Sequence, residues 1–290
     1  MPEIVDVQWF PGHMAKTRRL IEKNLPLVDI VIEILDARAP ISSANPDLNK
    51  IIKNKPKIIL INKSDLVNED VVNKWISYYS RDNIKAVAVD SRDGKNLNKI
   101  NLVIRNILKT KIEKRMQIGM VGMPIRAMVV GIPNVGKSSF INKMAKKKKT
   151  KVEDRPGVTR GKQWVIAENG LELLDMPGVL WPKFDDKKVG EKLAFLGSVK
   201  DDILDTENLA VRLLEFLCKN YKRLLLARYK VEEDIIDLED FYALLKCIGK
   251  KRGMVIAGGS VDLERAAIMV LDEFRAGKIG KISLEVPQGY

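Results

Sequence analysis

A glycine-rich segment near the middle of the chain reads Gly131-Ile132-Pro133-Asn134-Val135-Gly136-Lys137-Ser138. It fits the pattern G-x-x-x-x-G-K-[ST] and stands between a predicted strand, Ala127–Val130, and a predicted helix. In that setting, backbone N–H groups surround the phosphates, the lysine contacts the β- and γ-phosphates, and the serine binds Mg²⁺. The segment therefore predicts a nucleotide phosphate site but leaves the base open. The residues expected to contact the phosphates are Gly131, Asn134, Val135, Gly136, Lys137, Ser138 and Ser139.

The base is indicated by Asn62-Lys63-Ser64-Asp65, an N-K-x-D sequence that follows the predicted strand Lys57–Ile61. Its aspartate can accept hydrogen bonds from the N1–H and the 2-amino group of guanine, a donor pair that adenine lacks. When the wrong base binds, the polar groups of the site lose their hydrogen-bond partners, and the free-energy cost of these unpaired groups disfavours that base. Alone, these four residues are also an ordinary polar turn. Together with the phosphate loop they predict GTP and GDP as ligands, with Asn62, Lys63 and Asp65 at the guanine.

Three further positions complete the expected site. Ser91 follows the strand Ala86–Val89, where GTPases have a serine loop next to guanine, although Arg92 departs from the usual small residue. Asp175 and Gly178 form a D-x-P-G sequence, in which the aspartate holds Mg²⁺ through water and the glycine N–H meets the γ-phosphate. Thr159 is the candidate switch residue that covers the metal when GTP is bound. Taken alone, Thr159 is also an ordinary loop residue, and Pro177-Gly178 an ordinary turn.

The pattern around these motifs predicts an α/β fold. Short β-branched runs at Ile30–Asp36, Lys57–Ile61 and Ala86–Val89 alternate with helical segments, which is typical of a mostly parallel sheet covered on both faces. Ligands in such sheets bind at the carboxyl ends of the strands. A single helix is expected at Leu97–Gln117, and Asn169-Gly170 predicts a hairpin between Gln163–Glu168 and Leu171–Leu174.

After residue 189 the pattern becomes helical, with apolar residues at three- and four-residue spacing in Leu209–Leu217, Leu238–Ile248 and Leu263–Phe274. We therefore expect an N-terminal segment at 1–24, a nucleotide-binding domain at 25–185 and a small helical, RNA-binding domain at 186–290. The 46% apolar content of the 290 residues is enough for packed cores.

The charge balance favours a polyanionic partner. Lys and Arg number 51 against 38 Asp and Glu, a net charge of +13. Basic runs at Lys146–Lys149 with Lys151, and at Lys250-Lys251-Arg252, are candidate RNA contacts or simply solvated faces. The start of the chain resembles no signal peptide, and Asp29 and Glu33 interrupt the most apolar early segment. We expect a cytoplasmic protein without a membrane span and without a DNA partner.

The order of the motifs is unusual, because N-K-x-D and the serine loop precede the phosphate loop. Ordinary GTPases have them last, so this order indicates a circular permutation of a P-loop GTPase domain. With Asp36-Ala37-Arg38-Ala39-Pro40 and the opening Trp9-Phe10-Pro11-Gly12-His13-Met14, the chain resembles the circularly permuted ribosome biogenesis GTPase A family (RbgA/YlqF) over nearly its whole length.

The resemblance implies a factor that binds a late precursor of the large (50S) ribosomal subunit through rRNA, hydrolyses GTP there in response to the subunit and departs. A relative that acts on the small subunit has a zinc-binding region, which the two scattered cysteines Cys218 and Cys247 do not supply. Two alternatives remain. One is a nucleotide-gated RNA-binding module whose hydrolysis is incidental, and the other is an ATP-using enzyme, which the guanine motif disfavours.

Hydrolysis needs a group that positions water. Ras-like enzymes have a glutamine after D-x-x-G, whereas this chain has the apolar Val179. The resemblance implies that His13, the only histidine, supplies the missing polar group; the alternative is a turn residue in Pro-Gly-His. It also implies that Asn134 helps to bind K⁺ beside the phosphates, where a cation does part of the work of an arginine finger. The alternative for Asn134 is a role in shaping the loop.

Overall fold

The computed structural model describes residues 11–52, 54–80, 84–145, 163–178, 180, 187–199 and 204–287. They divide into two compact units. The first contains the described residues up to 180 together with 283–287, and the second contains those between 187 and 282. The predicted boundary at 185 and 186 falls outside the described residues.

The first unit is built on a six-stranded sheet. Its strands are β1 (Ile30–Asp36), β2 (Lys57–Asn62), β3 (Lys85–Ala88), β4 (Ile125–Val130), β5 (Gln163–Ile166) and β6 (Leu171–Asp175). The order across the sheet is β3-β2-β1-β4-β6-β5, and every neighbouring pair is parallel except β5 with β6. The expected mostly parallel α/β sheet is thereby confirmed. The strand order reverses between β1 and β4: β2 and β3 follow on one side of this pair, and β6 and β5 follow on the other. Parallel sheets bind ligands at the carboxyl ends of the strands next to such a reversal.

Helices cover both faces of this sheet. They are α1 (Pro11–Asn24), α2 (Pro40–Ser43), α3 (Pro46–Ile52), α4 (Glu69–Tyr79), α5 (Leu97–Ile107), α6 (Lys109–Gln117) and α7 (Lys137–Met144). One core cluster joins Ile21 of α1 to Val31 and Met128, and another joins Trp75 of α4 to Leu35 and Ile59. Strand β1 is buried along its whole length, which requires cover on both faces of the sheet.

The single helix expected at Leu97–Gln117 is wrong in detail, because it is two helices that meet at Leu108. Helix α5 is amphipathic and buries Ile100 and Ile104, whereas α6 buries none of its residues. An ion pair anchors α6: Asp29, just before β1, meets the Arg115 guanidinium at 2.6 Å. The apolar periodicity of α5 therefore does not extend into α6.

The second unit is helical, as expected. It contains α8 (Lys187–Phe195), α9 (Thr206–Tyr229), α10 (Glu233–Asp237), α11 (Phe241–Lys251) and α12 (Leu263–Arg275). Asp205, Asp240 and Asp262 cap α9, α11 and α12 through side-chain oxygens that accept from backbone N–H groups. The helical pattern was expected to start at Leu238, but Leu238 is exposed and α11 begins at Phe241, because Asp240 caps the helix there. No helix among the described residues is long and apolar enough to cross a membrane.

Candidate guanine-nucleotide site

The phosphate loop joins the end of β4 to α7, so it lies at the carboxyl edge of the sheet beside β1. Helix α7 begins at Lys137, and Ser138 and Ser139 occupy its first turn. Gly136 precedes this helix with a φ of +94°, and a Cβ added to it would lie 2.3 Å from the Asn62 amide nitrogen. Only glycine fits both requirements. The loop is therefore packed directly against the N-K-x-D sequence.

Asn62 braces three segments. Its Nδ2 donates to the Val135 carbonyl at 2.7 Å, and its Oδ1 accepts from the Ser91 N–H at 3.0 Å and from the Ser91 hydroxyl at 2.8 Å. Asn62 and Ser91 are both buried. Phosphate loop, N-K-x-D sequence and serine loop are thus held together by one amide. The Ser91 N–H is used in this brace, so the expected contact between Ser91 and guanine remains a prediction.

Lys63 and Asp65 lie in the turn that follows β2. Lys63 has a left-handed backbone, and its Nζ donates to the Asn134 carbonyl at 2.6 Å and meets the Asp36 carboxylate at 3.0 Å. Asn134 is left-handed as well, with a φ of +61°. Asp65 is exposed in the short turn that follows. Although its residue is exposed, the Asp65 carboxylate is partly desolvated, and this desolvation, followed by the charge of nearby Asp90, raises the pKa of Asp65. A hydrogen-bond donor pair such as that of guanine would favour the ionised carboxylate and offset the shift.

Lys137 is buried, and its ammonium donates to the carbonyls of Gly131 at 3.1 Å and Ile132 at 2.8 Å. Burial lowers the pKa of Lys137 to about 8, although the Asp175 charge opposes the shift. A desolvated ammonium next to a helix start is a strong site for a phosphate, which would replace weak carbonyl partners with charged oxygens.

Asp175 ends β6 and is buried, yet neither carboxylate oxygen has a hydrogen-bond partner among the described residues. Burial raises the pKa of Asp175 to about 6 against the attraction of Lys137. An orphaned buried carboxylate fits a divalent cation. Asp175, with Ser138 in the first turn of α7, would hold Mg²⁺ together with water and nucleotide phosphates, the coordination that Mg²⁺ prefers.

Gly178 approaches the phosphate loop closely. A Cβ at this position would lie 2.9 Å from the Pro133 nitrogen and 3.0 Å from the Lys137 ammonium. The D-x-P-G sequence is therefore next to the residues expected to bind the terminal phosphate.

Several expected residues cannot be placed. Thr159, Val179, Lys146–Lys149 and Lys151 lie outside the described residues. His13 belongs to α1, but its side chain is not among those that the structure describes. The roles assigned to these residues stay predictions.

Two buried charges in the site lie outside the predicted nucleotide motifs. Asp36 ends β1, and its carboxylate accepts from the Arg38 Nε at 2.9 Å and Nη2 at 2.8 Å besides meeting Lys63. A pair of opposite charges at the carboxyl end of a strand could have indicated these two residues, because such sheets bind ligands at that edge. In the sequence, Asp36 and Arg38 indicated only the family resemblance.

Comparison with known proteins agrees with this geometry. The chain is 47% identical over 286 residues to ribosome biogenesis GTPase A of Priestia megaterium, covering 97% of each chain. It is 42% identical to the Bacillus cereus protein of that name, covering 98% of this chain and 95% of the relative. The chain belongs to the ribosome biogenesis GTPase A family. It is thus a GTPase that acts in ribosome biogenesis.

Family and structure comparisons support the same assignment. A family model described as "50S ribosome-binding GTPase" matches residues 126–240. The GDP-bound structure of YlqF from Thermotoga maritima has a TM-score of 0.65 at 27% identity, covering 93% of this chain and all of that one. In this GTPase, as its family membership implies, the guanine motif on β2 precedes the phosphate loop after β4, so the order along the chain is permuted.

Proposed function

We propose that this GTPase acts in the cytoplasm in late assembly of the large ribosomal subunit, that it contacts rRNA, and that the subunit stimulates its GTP hydrolysis. The observation that carries the proposal is the match to the family described as 50S ribosome-binding GTPases. The net charge of +13 suits a polyanionic partner. In the helical unit, Lys250 and Lys251 are exposed at the end of α11, which supports contact with phosphates.

The decisive experiment is single-turnover GTP hydrolysis with purified large subunits, small subunits and large-subunit precursors. We expect stimulation by large-subunit particles and none by small subunits. Absence of stimulation by any particle would contradict the proposal and favour the alternative of a nucleotide-gated binding module. Binding of GTP against ATP, measured in the same preparation, checks that the guanine site is intact.

His13 is proposed to position the attacking water, since Val179 cannot. The variant His13→Ala should bind GTP normally while its subunit-stimulated kcat falls roughly tenfold or more. Lys16→Ala, one turn further along the same helix, is the matched control. An unchanged kcat would leave His13 as a turn residue.

Asn134 is proposed to help bind K⁺ beside the phosphates. Its left-handed conformation holds it within the phosphate loop, and Lys63 already fixes its carbonyl. A cation at that position would stabilise the negative charge of the transition state, as an arginine finger does. Hydrolysis should therefore be faster in K⁺ than in Na⁺ at equal ionic strength, and equal rates would refute the cation.

A further inference from the structure

The last described residues of the chain leave the helical unit and group with the nucleotide-binding unit. Leu284 is buried, and its N–H donates to the Arg38 carbonyl at 2.7 Å. The helical unit is therefore followed directly by a segment that is hydrogen-bonded to the loop after β1.

The next residue makes stronger contacts. The Glu285 carboxylate is buried and accepts from the Ile41 N–H at 2.8 Å and the Ser42 N–H at 3.2 Å. It also accepts a hydrogen bond from the Ser42 hydroxyl. Charge-assisted bonds of this kind are about twice as strong as neutral ones. Leu284 and Glu285, here called the C-terminal clasp, thus contact both the loop that follows β1 and the helix α2 that follows the loop.

That loop supports the guanine motif. The Ser43 hydroxyl at the end of α2 accepts from the Asp36 N–H at 3.0 Å, and the Arg38 N–H donates to the Asp36 carboxylate at 3.1 Å. Burial would raise the pKa of Asp36, but the charges of Arg38 and Lys63 hold it well below its usual range. Asp36 is therefore a fixed anion whose position depends on the loop that the clasp contacts.

The fixed anion in turn positions Lys63. The Lys63 ammonium lies 3.0 Å from the Asp36 carboxylate and 2.6 Å from the Asn134 carbonyl of the phosphate loop. A continuous series of contacts therefore runs from Glu285 through the Arg38 loop and Asp36 to Lys63 and the phosphate loop. Contiguous hydrogen-bond and ion-pair networks of this type can carry energetic coupling between two sites.

We propose that the C-terminal clasp is a positioning element for guanine recognition, which holds Lys63 through the loop at Arg38 and Asp36. Docking of the clasp and binding of guanine nucleotide then strengthen each other, because coupling between two binding events is reciprocal. The inference depends on nucleotide binding and is independent of any ribosomal partner.

The first test needs no variant. Hydrogen exchange at the Leu284 amide is measured in the full wild-type chain with and without saturating GDP. We expect exchange at Leu284 to slow at least fivefold with GDP. The Asp262 amide, which donates to the Met254 carbonyl within the helical unit, is the control and should not change. Equal protection of Leu284 in both states would overturn the proposal.

The second test compares Glu285→Ala with Asp240→Ala. Both remove a carboxylate that accepts from backbone N–H groups near a helix start, but Asp240 caps α11 in the helical unit. We expect Glu285→Ala to weaken GDP binding about tenfold without weakening ADP binding, so that the preference for guanine falls by the same factor. The GDP affinity of Glu285→Gln, which retains an acceptor oxygen, should lie between those of wild type and Glu285→Ala. The proposal would be overturned if Glu285→Ala bound GDP as tightly as wild type, or if Asp240→Ala lost as much GDP affinity as Glu285→Ala.

Discussion

Asp175 is the residue whose environment most clearly requires a ligand. A carboxylate that is buried without partners is costly, and proteins keep one mainly where it binds a cation or performs chemistry. Lys137 shows the same feature with the opposite charge, since burial lowers its pKa and carbonyls are its hydrogen-bond partners. Both groups would gain charged partners from Mg²⁺ and phosphates bound at this site.

We therefore expect Asp175→Asn to lose the Mg²⁺ dependence of GTP binding and to reduce hydrolysis at least tenfold. Without nucleotide, its free energy of unfolding should stay within about 1 kcal/mol of wild type, because loss of the attraction to Lys137 offsets loss of the burial penalty. Fluorescent-nucleotide titration with and without Mg²⁺, and urea unfolding, measure both effects. Asp47→Asn, in the first turn of α3, is the control. A variant that still responds to Mg²⁺ would contradict the assignment.

At the level of elements, the attachment of α6 depends on charge rather than on apolar packing. Asp29 accepts from the Arg126 N–H at 3.0 Å and pairs with Lys111 at 2.7 Å and Arg115 at 2.6 Å. Burial would raise the pKa of Asp29, but the Arg126 N–H and then the two cations lower it below its ordinary value. The ionised carboxylate thus links α6 to the start of β1 and to β4.

Removing this charge should loosen α6. We expect Asp29→Asn to lower the free energy of unfolding by about 2 kcal/mol at pH 7, a value reduced because Lys111 is partly exposed. Since the folded pKa is depressed, the stabilisation is present above the unfolded pKa of Asp and is lost as the pH falls through the folded value. The difference from wild type should therefore shrink below about pH 4. Glu113→Gln, on exposed α6, is the control in urea unfolding; a difference that persists in acid would refute the ionic link.

For the whole molecule, the net charge of +13 is the property that bears on its partner, and the exposed lysines at the end of α11 are one place where a polyanion can bind. Lys250 and Lys251 are both exposed, and Lys251 donates to the Lys230 carbonyl and lies 3.8 Å from the Glu232 carboxylate. Lys219 of α9 is also exposed but pairs with Glu215 at 2.6 Å. A lysine that neutralises an rRNA phosphate releases counterions, so its removal changes the salt dependence of binding as well as the affinity.

Accordingly, Lys250→Gln with Lys251→Gln should weaken binding to large-subunit precursors and reduce the slope of log affinity against log salt by about 0.7 to 0.9 for each phosphate that is no longer neutralised. Lys219→Gln should leave the slope unchanged. Precursor binding measured across a salt series gives both values. The same change made at Lys146–Lys149 tests whether that run is a second contact. Slopes equal to wild type would indicate solvated faces.

Features of this protein that depend on residues close together in the sequence were predicted better than features that depend on residues far apart. Strand β1 was predicted at its observed bounds, and the helical character of the second unit was predicted from apolar spacing, because both patterns are local and repeat along the chain. The division of Leu97–Gln117 into two helices was not predicted, since the segment after the apolar stripe is held by a contact between Arg115 and Asp29, which are 86 residues apart in sequence.

The α/β class, the preference for a guanine nucleotide and the permuted motif order follow from the sequence alone, since a short motif with its flanking strand carries those properties locally. Three features required the folded chain: Asn62 joins the phosphate and serine loops, Asp175 is buried without hydrogen-bond partners among the described residues, and Glu285 contacts α2. These contacts join residues far apart in the chain, and burial and hydrogen bonding between them depend on how the strands are ordered in the sheet.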